Sequence, residues 1–214
     1  MPADMPLTPP GQTHNSEEGY IKYRCIFTPS VAPKAAQVAL LNPLRTQLHR
    51  LGLIGVYSNG IGYGNISARL ETSAQFIISG TQTGHLPELE PQHYSIVNRY
   101  SIYQNTVYCS GCIKASSEAL THAAVYELNP AFGVVIHVHH AGMWQRWLNV
   151  LPTTQTDIPY GTPQMANEIK RLYAETNLPE IRVLTMAGHT DGLLAFGYTG
   201  NDAFTALLKY YKEQ

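Results

Sequence analysis

Charge is scarce in this chain. Asp, Glu, Lys and Arg make up 14% of its 214 residues, against about 25% in an average globular domain. The two signs nearly cancel, with 14 Lys and Arg against 15 Asp and Glu. That balance leaves no basic footprint for nucleic acid. Cysteine is scarce too, and three is an odd number, which gives no disulfide framework. Free thiols of this kind place the chain in the cytoplasm. No apolar run approaches the roughly 20 residues of a membrane span. The N-terminus lacks the charged-then-apolar pattern of a secretory signal. What is present is 44% hydrophobic content and 14 tyrosines. The length allows one sizeable domain with its own core. A low-charge, tyrosine-rich surface is the kind that other subunits cover.

Residues 1–18 are rich in Pro, Ser, Thr and Gly without apolar periodicity, and read as a mobile arm. Residues 19–214 read as a single domain. Tyr20–Phe27 alternates roughly and reads as a strand that Pro29 and Pro33 end. Ala35–Leu51 carries Val38, Leu41, Leu44, Leu48 and Leu51 at helical spacing, with Pro43 placed to kink or divide the helix. A glycine-rich stretch, Ser58–Ser67, leads past Asn65. Gln75–Ser79 is an apolar strand, and a helix is expected from Pro91. Ser95–Tyr103 and Thr106–Cys109 form a hairpin around Gln104-Asn105. Cys109 and Cys112 make a C-x-x-C with no second pair for a structural zinc and no thioredoxin-like surroundings.

The chemistry concentrates between Lys114 and Gly142. Ser116 and Ser117 open a helix, whose unsatisfied N–H groups and positive dipole end form an anion site. Glu118 comes next, in the position where an acid either serves the dipole or serves a reaction. Gly133-Val134-Val135-Ile136 is β-branched without a helical stripe and reads as a buried strand. Residues i and i+2 of a strand share a face. His137 and His139 can therefore converge on one metal ion, while His140 points the other way. His122, one turn beyond Glu118, lines the core or hydrogen-bonds the site.

An H-x-H alone is weak evidence, and its surroundings decide. A cupin-type site wants a carboxylate a few residues on, and Ala141–Gln145 supplies none. A metallo-β-lactamase-type site wants H-x-H-x-D-H, whereas this motif runs His-Val-His-His-Ala-Gly. A TIM-barrel hydrolase needs about 250 residues, more than this chain has.

The order Ser116-Ser117-Glu118, His122, Ala123-Ala124, Tyr126, Asn129-Pro130, apolar strand, His137 and His139 resembles the class II aldolase/adducin family. Two further matches extend the resemblance over residues 35–208. One is Gly64-Asn65-Ile66-Ser67. The other is the stretch Ala187–Gly197, which contains His189 and Gly192. The resemblance implies a three-layer α/β/α domain with a largely antiparallel central sheet. It also implies a divalent metal, zinc in the first instance, on His137, His139 and a third ligand. That third ligand is His189 with a two-residue insertion after it, or Asp191 directly before Gly192. Three imidazoles suit zinc-like ions, which favours His189. Asn65, Ser116, Ser117 and either Ser79-Gly80 or Thr83-Gly84 are implied to hold a substrate phosphate, and Glu118 to act as proton shuttle.

The implied activity is a metal-dependent aldehyde-lyase on a small phosphorylated sugar. The alternatives are an epimerase or dehydratase on the same site, or a non-catalytic adducin-like binding protein. Retention of Glu118, His137 and His139 speaks against the last. The family also implies a homotetramer. The chain departs from the family's aldolases in two places. The segment Asn149–Pro163 is short, with Tyr160 as its only tyrosine and no clear alignment. No C-terminal extension is present to supply another, which leaves Tyr210 and Tyr211 as substitutes.

Overall fold

The structure, a computed structural model, describes residues 19–71 and 74–213. The 1–18 segment read as a mobile arm lies outside the described residues. Among those described, ten strands and seven α-helices run in order: β1 (Arg24–Pro29), α1 (Ala35–Val38), α2 (Leu41–Arg50), β2 (Gly55–Val56), β3 (Gly62–Tyr63), β4 (Asn65–Arg69), β5 (Phe76–Ser79), β6 (Tyr94–Ser101), β7 (Thr106–Gly111), α3 (Ala119–Leu128), β8 (Val134–His139), α4 (Ala141–Trp147), α5 (Pro163–Glu175), α6 (Leu178–Ile181), β9 (Val183–Thr185), β10 (Gly192–Gly197) and α7 (Gly200–Lys212). Eight strands form one sheet in the order β1-β7-β6-β5-β4-β8-β10-β9, and β2 and β3 pair separately as a short ribbon. Every pairing in the large sheet is antiparallel except that of β1 with β7.

The alternation of β8 explains the layering. Val134, Ile136 and Val138 enter one core with Leu41 and Leu48 of α2 and Ala203, Leu207 and Tyr210 of α7. Val135 enters the other, with Leu120, Ala123 and Ala124 of α3 and Met165, Ile169 and Leu172 of α5. A strand buried on both faces must be apolar on both, and β8 is, apart from its two histidines. The result is helices, sheet, helices, as expected. No helix among the described residues is long and apolar enough to cross a membrane.

Several local expectations shift. The first strand runs from Arg24 to Pro29 rather than Tyr20 to Phe27. The Ala35–Leu51 stripe is divided, but the break falls at Ala39-Leu40. Pro43 is the third residue of α2, where its missing N–H would have had no intrahelical partner. Only a single 3₁₀ turn, Pro91–His93, stands where a helix was expected. The hairpin of β6 and β7 forms as read, with Asn105 in the left-handed region at φ 48°. The central helix begins at Ala119, not at Ser116. Ala115 bridges to Gly80, so the chain stays extended to the serines, and Glu118 becomes the helix N-cap.

The C-x-x-C does not act as a unit. Cys112 is exposed, while Cys109 approaches Cys25 of β1, with Sγ atoms 3.7 Å apart. Cys25 pairs in register with Val107, two residues before Cys109. Two residues of rise across neighbouring strands separate their Cα atoms by about 8 Å, beyond the disulfide range. The contact is a thiol–thiol hydrogen bond.

Candidate active site

The sheet register builds the site. Asn65 of β4 lies directly opposite His137 of β8, and Gly192 of β10 opposite His139. Since i and i+2 share a face, Asn65, His137 and His139 all look toward α3. The third imidazole comes from the turn before β10. His189 N donates to Met186 O, and Gly192 N to His189 O. Asp191 takes φ 65° to complete the turn, and its carbonyl oxygen accepts from His140 N. The two residues between His189 and Gly192 thus form a tight turn that folds His189 back over the strand. Ligand atoms of His137, His139 and His189 lie within 4.8 Å of one another, and all three side chains are buried. Asp191 is outside that cluster.

The outer ring nitrogens are held. His137 Nδ1 donates to Leu193 O at 3.0 Å, and His139 Nδ1 meets the Tyr57 hydroxyl at 2.6 Å. His137 therefore presents its Nε2 lone pair inward, and its Nε2 and that of His139 face each other at 2.9 Å, within hydrogen-bond distance. Burial, and then the neighbouring His139, His189 and His122, push His137 well below the usual imidazole range. It is a neutral donor. A cation at this point would take the Nε2 lone pair of each ring in place of that contact. The donor set fits a zinc-class ion.

Glu118 Oε1 stands 3.3 Å from His189 Nδ1, with both side chains 2% exposed. As N-cap, Glu118 reaches the cluster from the helix end, and its own N–H donates to Ser116 Oγ. His122 belongs to the core. Its Nδ1 bonds Ser67 Oγ at 2.7 Å, that oxygen bonds the Tyr126 hydroxyl, and burial pushes the imidazole down to about 3.

Gly62, Gly64, Asn65, Gly80, Thr83, Gly84, Ser116, Ser117, Glu118 and His137 line one cleft. The two alternative hydroxyl-glycine steps therefore meet there, through Gly80 and through Thr83-Gly84. Ser79 does not line it, because its Oγ accepts from Ile66 N inside the sheet. Thr83 Oγ1 is turned back to Gly80 O. Gly84 must be glycine, since a Cβ there would sit 1.9 Å from Gly55 O. Asn65 Oδ1 is buried without a hydrogen-bond partner among the described residues and faces this cleft.

Four residues near the site are given no place in it by the sequence, Tyr160 among them, which shows no clear alignment. Tyr57 and Tyr63 pack their rings near His139, at 5.9 and 5.6 Å. Tyr160 stacks on His189 at 4.3 Å between centroids. Arg45 of α2, 1% exposed, threads beneath the cleft loop. Its guanidinium donates to Thr83 O, Gly84 O, Leu86 O and Pro87 O. The C-terminal tyrosines lie elsewhere. Tyr210 packs on Trp147 and Tyr211 on His140, in the opposite layer.

A model of the Class II Aldolase and Adducin N-terminal domain matches residues 56–211. This chain belongs to that family. Among solved structures it is similar to an L-fuculose 1-phosphate aldolase, with 16% identity and a TM-score of 0.61, over 85% of this chain and 84% of the other. It is also similar to a sugar-phosphate aldolase from Thermotoga maritima, with 14% identity and a TM-score of 0.59, over 83% and 91%. YgbL from Escherichia coli, whose description offers aldolase, epimerase and decarboxylase as alternatives, gives 19% identity and a TM-score of 0.57, over 79% and 82%. At these identities the likeness is one of fold. No curated protein sequence matches the chain. The class II aldolase match begins one residue after Gly55, so β1, α1 and α2 stand outside it.

Proposed function

We propose that this class II aldolase-family protein is a metal-dependent aldehyde-lyase acting on a small phosphorylated sugar. The observation that carries the proposal is the three-imidazole cluster with Glu118 Oε1 3.3 Å from one of its rings. His137, His139 and His189 would hold a divalent ion, most simply zinc. Such an ion, when bound, polarises a substrate carbonyl as a Lewis acid.

The chain's own residues account for the rest. Retro-aldol cleavage takes a proton from the hydroxyl at the bond that breaks and delivers one to the carbon left behind. Glu118, anchored as a helix cap and closed off from water, is placed to move such a proton. The Asn65 carboxamide offers a partner to a substrate oxygen. The backbone around Gly84, together with Ser116 and Ser117 before α3, offers donors to a phosphate without any Lys or Arg among the lining residues.

Elemental analysis of purified protein tests the metal site. About one zinc-class ion per chain is expected, absent from His137→Ala and from His189→Ala. Retention in His189→Ala would move the third ligand elsewhere, and a wild type that takes up no metal after reconstitution would sink the proposal. A panel of sugar phosphates then separates cleavage from epimerisation and dehydration by product.

The Tyr57 contact gives a further expectation. Groups that hold the outer nitrogen of a metal-binding imidazole typically contribute 10–100-fold in affinity. Tyr57→Phe should therefore weaken zinc binding about tenfold, read by competition with a chelator of known affinity. Unchanged affinity would mean that the phenol does not orient His139.

A further inference from the structure

The segment Gly19–Tyr23, which precedes β1 and lies outside the family match, crosses the mouth of the cleft. Gly19 lines the cleft, and its carbonyl oxygen accepts from Gln82 Nε2 at 3.4 Å. Tyr20 N donates to the Tyr160 hydroxyl at 3.1 Å, and that hydroxyl donates to Tyr20 O at 3.3 Å. Lys22 Nζ stands 4.0 Å over the Tyr160 ring, whose centroid is 4.3 Å from that of His189. Tyr23 donates its hydroxyl to Ser116 O at 2.8 Å. One five-residue strap thus touches the glycine loop, the serine pair and, through Tyr160, the third imidazole.

With the strap in place the cleft has a cavity volume of about 20 Å³, room for about one water. Small-molecule sites usually offer some 300–1,000 Å³. The three imidazoles behind it are 1–3% exposed. An organic phosphate cannot reach them past a strap in this position. The strap is held at one end by β1 and across its middle by a hydroxyl that bonds its backbone on both sides. The bonds at Gly19 and Tyr20 can break while Tyr23, 5% exposed in the core, stays as the anchored end of the strap, and β1 is held by a full ladder to β7.

We propose that Gly19–Tyr23 is a gate over the cleft, latched by the Tyr160 hydroxyl, and that an anionic sugar-sized substrate enters only when the latch releases. Tyr160 acts here as a positioning residue. The proposal rests on the cleft being the substrate site, but its test does not depend on turnover.

The test compares the full-length wild type with Tyr160→Phe, which keeps the ring on His189 and removes the latch. Hydrogen exchange of the Gly19–Tyr23 amides should accelerate about tenfold, the worth of one or two net hydrogen bonds, with β1 unchanged. After dialysis against EDTA, so that no ion masks the ring nitrogens, diethylpyrocarbonate should label His137, His139 and His189 faster by a similar factor. Equal exchange in the two proteins would overturn the latch. Faster exchange with unchanged labelling would overturn the gate, because the strap would then open without admitting anything. A wild type that holds no metal but passes both arms would strike the proposed function and leave the gate standing.

Discussion

Glu118→Gln should lower kcat on the sugar phosphate that proves to be the substrate by roughly 10²–10⁴-fold, the usual worth of a positioned proton-transfer group. The variant keeps the shape of the side chain and its place as N-cap of α3, and it removes only the capacity to take a proton. Metal content should stay at the wild-type level, because the three imidazoles are untouched. KM should change little if the carboxylate acts mainly in the transition state. The burial of Glu118 sharpens the expectation, since at 2% exposure bulk solvent cannot replace it as base. A variant with kcat within tenfold of wild type and metal intact would remove Glu118 from the chemistry. Another group would then have to carry the proton.

Arg45→Met carries the largest expected effect on stability, about 3–4 kcal/mol. The substitution keeps the apolar stem packed within α2 and deletes the guanidinium that bonds the carbonyl oxygens of Thr83, Gly84, Leu86 and Pro87. Each buried acceptor left without a donor is destabilising by about 1–3 kcal/mol, and rehydration of the loop offsets part of the sum. Burial pushes Arg45 below the usual guanidinium range, with Tyr94 opposing. The charge is therefore held at some expense for what its fork of donors does to the loop. A loss of this size should lower Tm by on the order of 10 °C in a chain of this length. Arg45→Lys should recover only a fraction, because an ammonium cannot reach carbonyl oxygens spread over five residues. A destabilisation below about 1 kcal/mol would show that water satisfies those carbonyls unaided.

The elements legible in the sequence were those whose chemistry obeys the local period. His137 and His139 could be placed on one strand face from the spacing of two alone. Val134, Ile136 and Val138 could be assigned to the opposite face on the same ground, and the structure puts them in the other core. The hairpin at Gln104-Asn105 and the α7 stripe of Ala203, Leu207 and Tyr210 were equally readable. The start of the central helix was not. A Ser-Ser-Glu step looks like a helix opening, but the Gly80–Ala115 bridge is a long-range pairing that keeps the chain extended at Ala115, and a turn at Ser117-Glu118 then delays the helix to Ala119. Arg45 was hidden for the opposite reason. An arginine in an amphipathic helix is expected to face solvent, and only the path of the Thr83–Pro87 loop, 38 to 42 residues away, makes it a buried donor. Tyr57 and Tyr160 meet the imidazoles across gaps of 82 and 29 residues of chain, and no local pattern encodes such a meeting. The strap shows the same limit, since Tyr20–Phe27 alternates like a strand while its first residues serve the cleft.

The position of β8 between β4 and β10 bears on how the protein is made. Its neighbours in the sheet come from residues 65–69 and 192–197, so a growing chain must hold β8 with one edge unpaired until nearly all of it has been synthesised. That edge belongs to a strand buried along its whole length, and an unpaired apolar edge is a template for pairing with another chain. Folding dominated by such distant pairings is slow. A translation pause, or a truncation before Gly192, should therefore favour aggregation over a partly active product. On the proposed function, an ion held by His137, His139 and His189 together could bind only after the last sheet neighbour has docked. Metal occupancy in a cell extract would then measure the fraction of chains that finished folding.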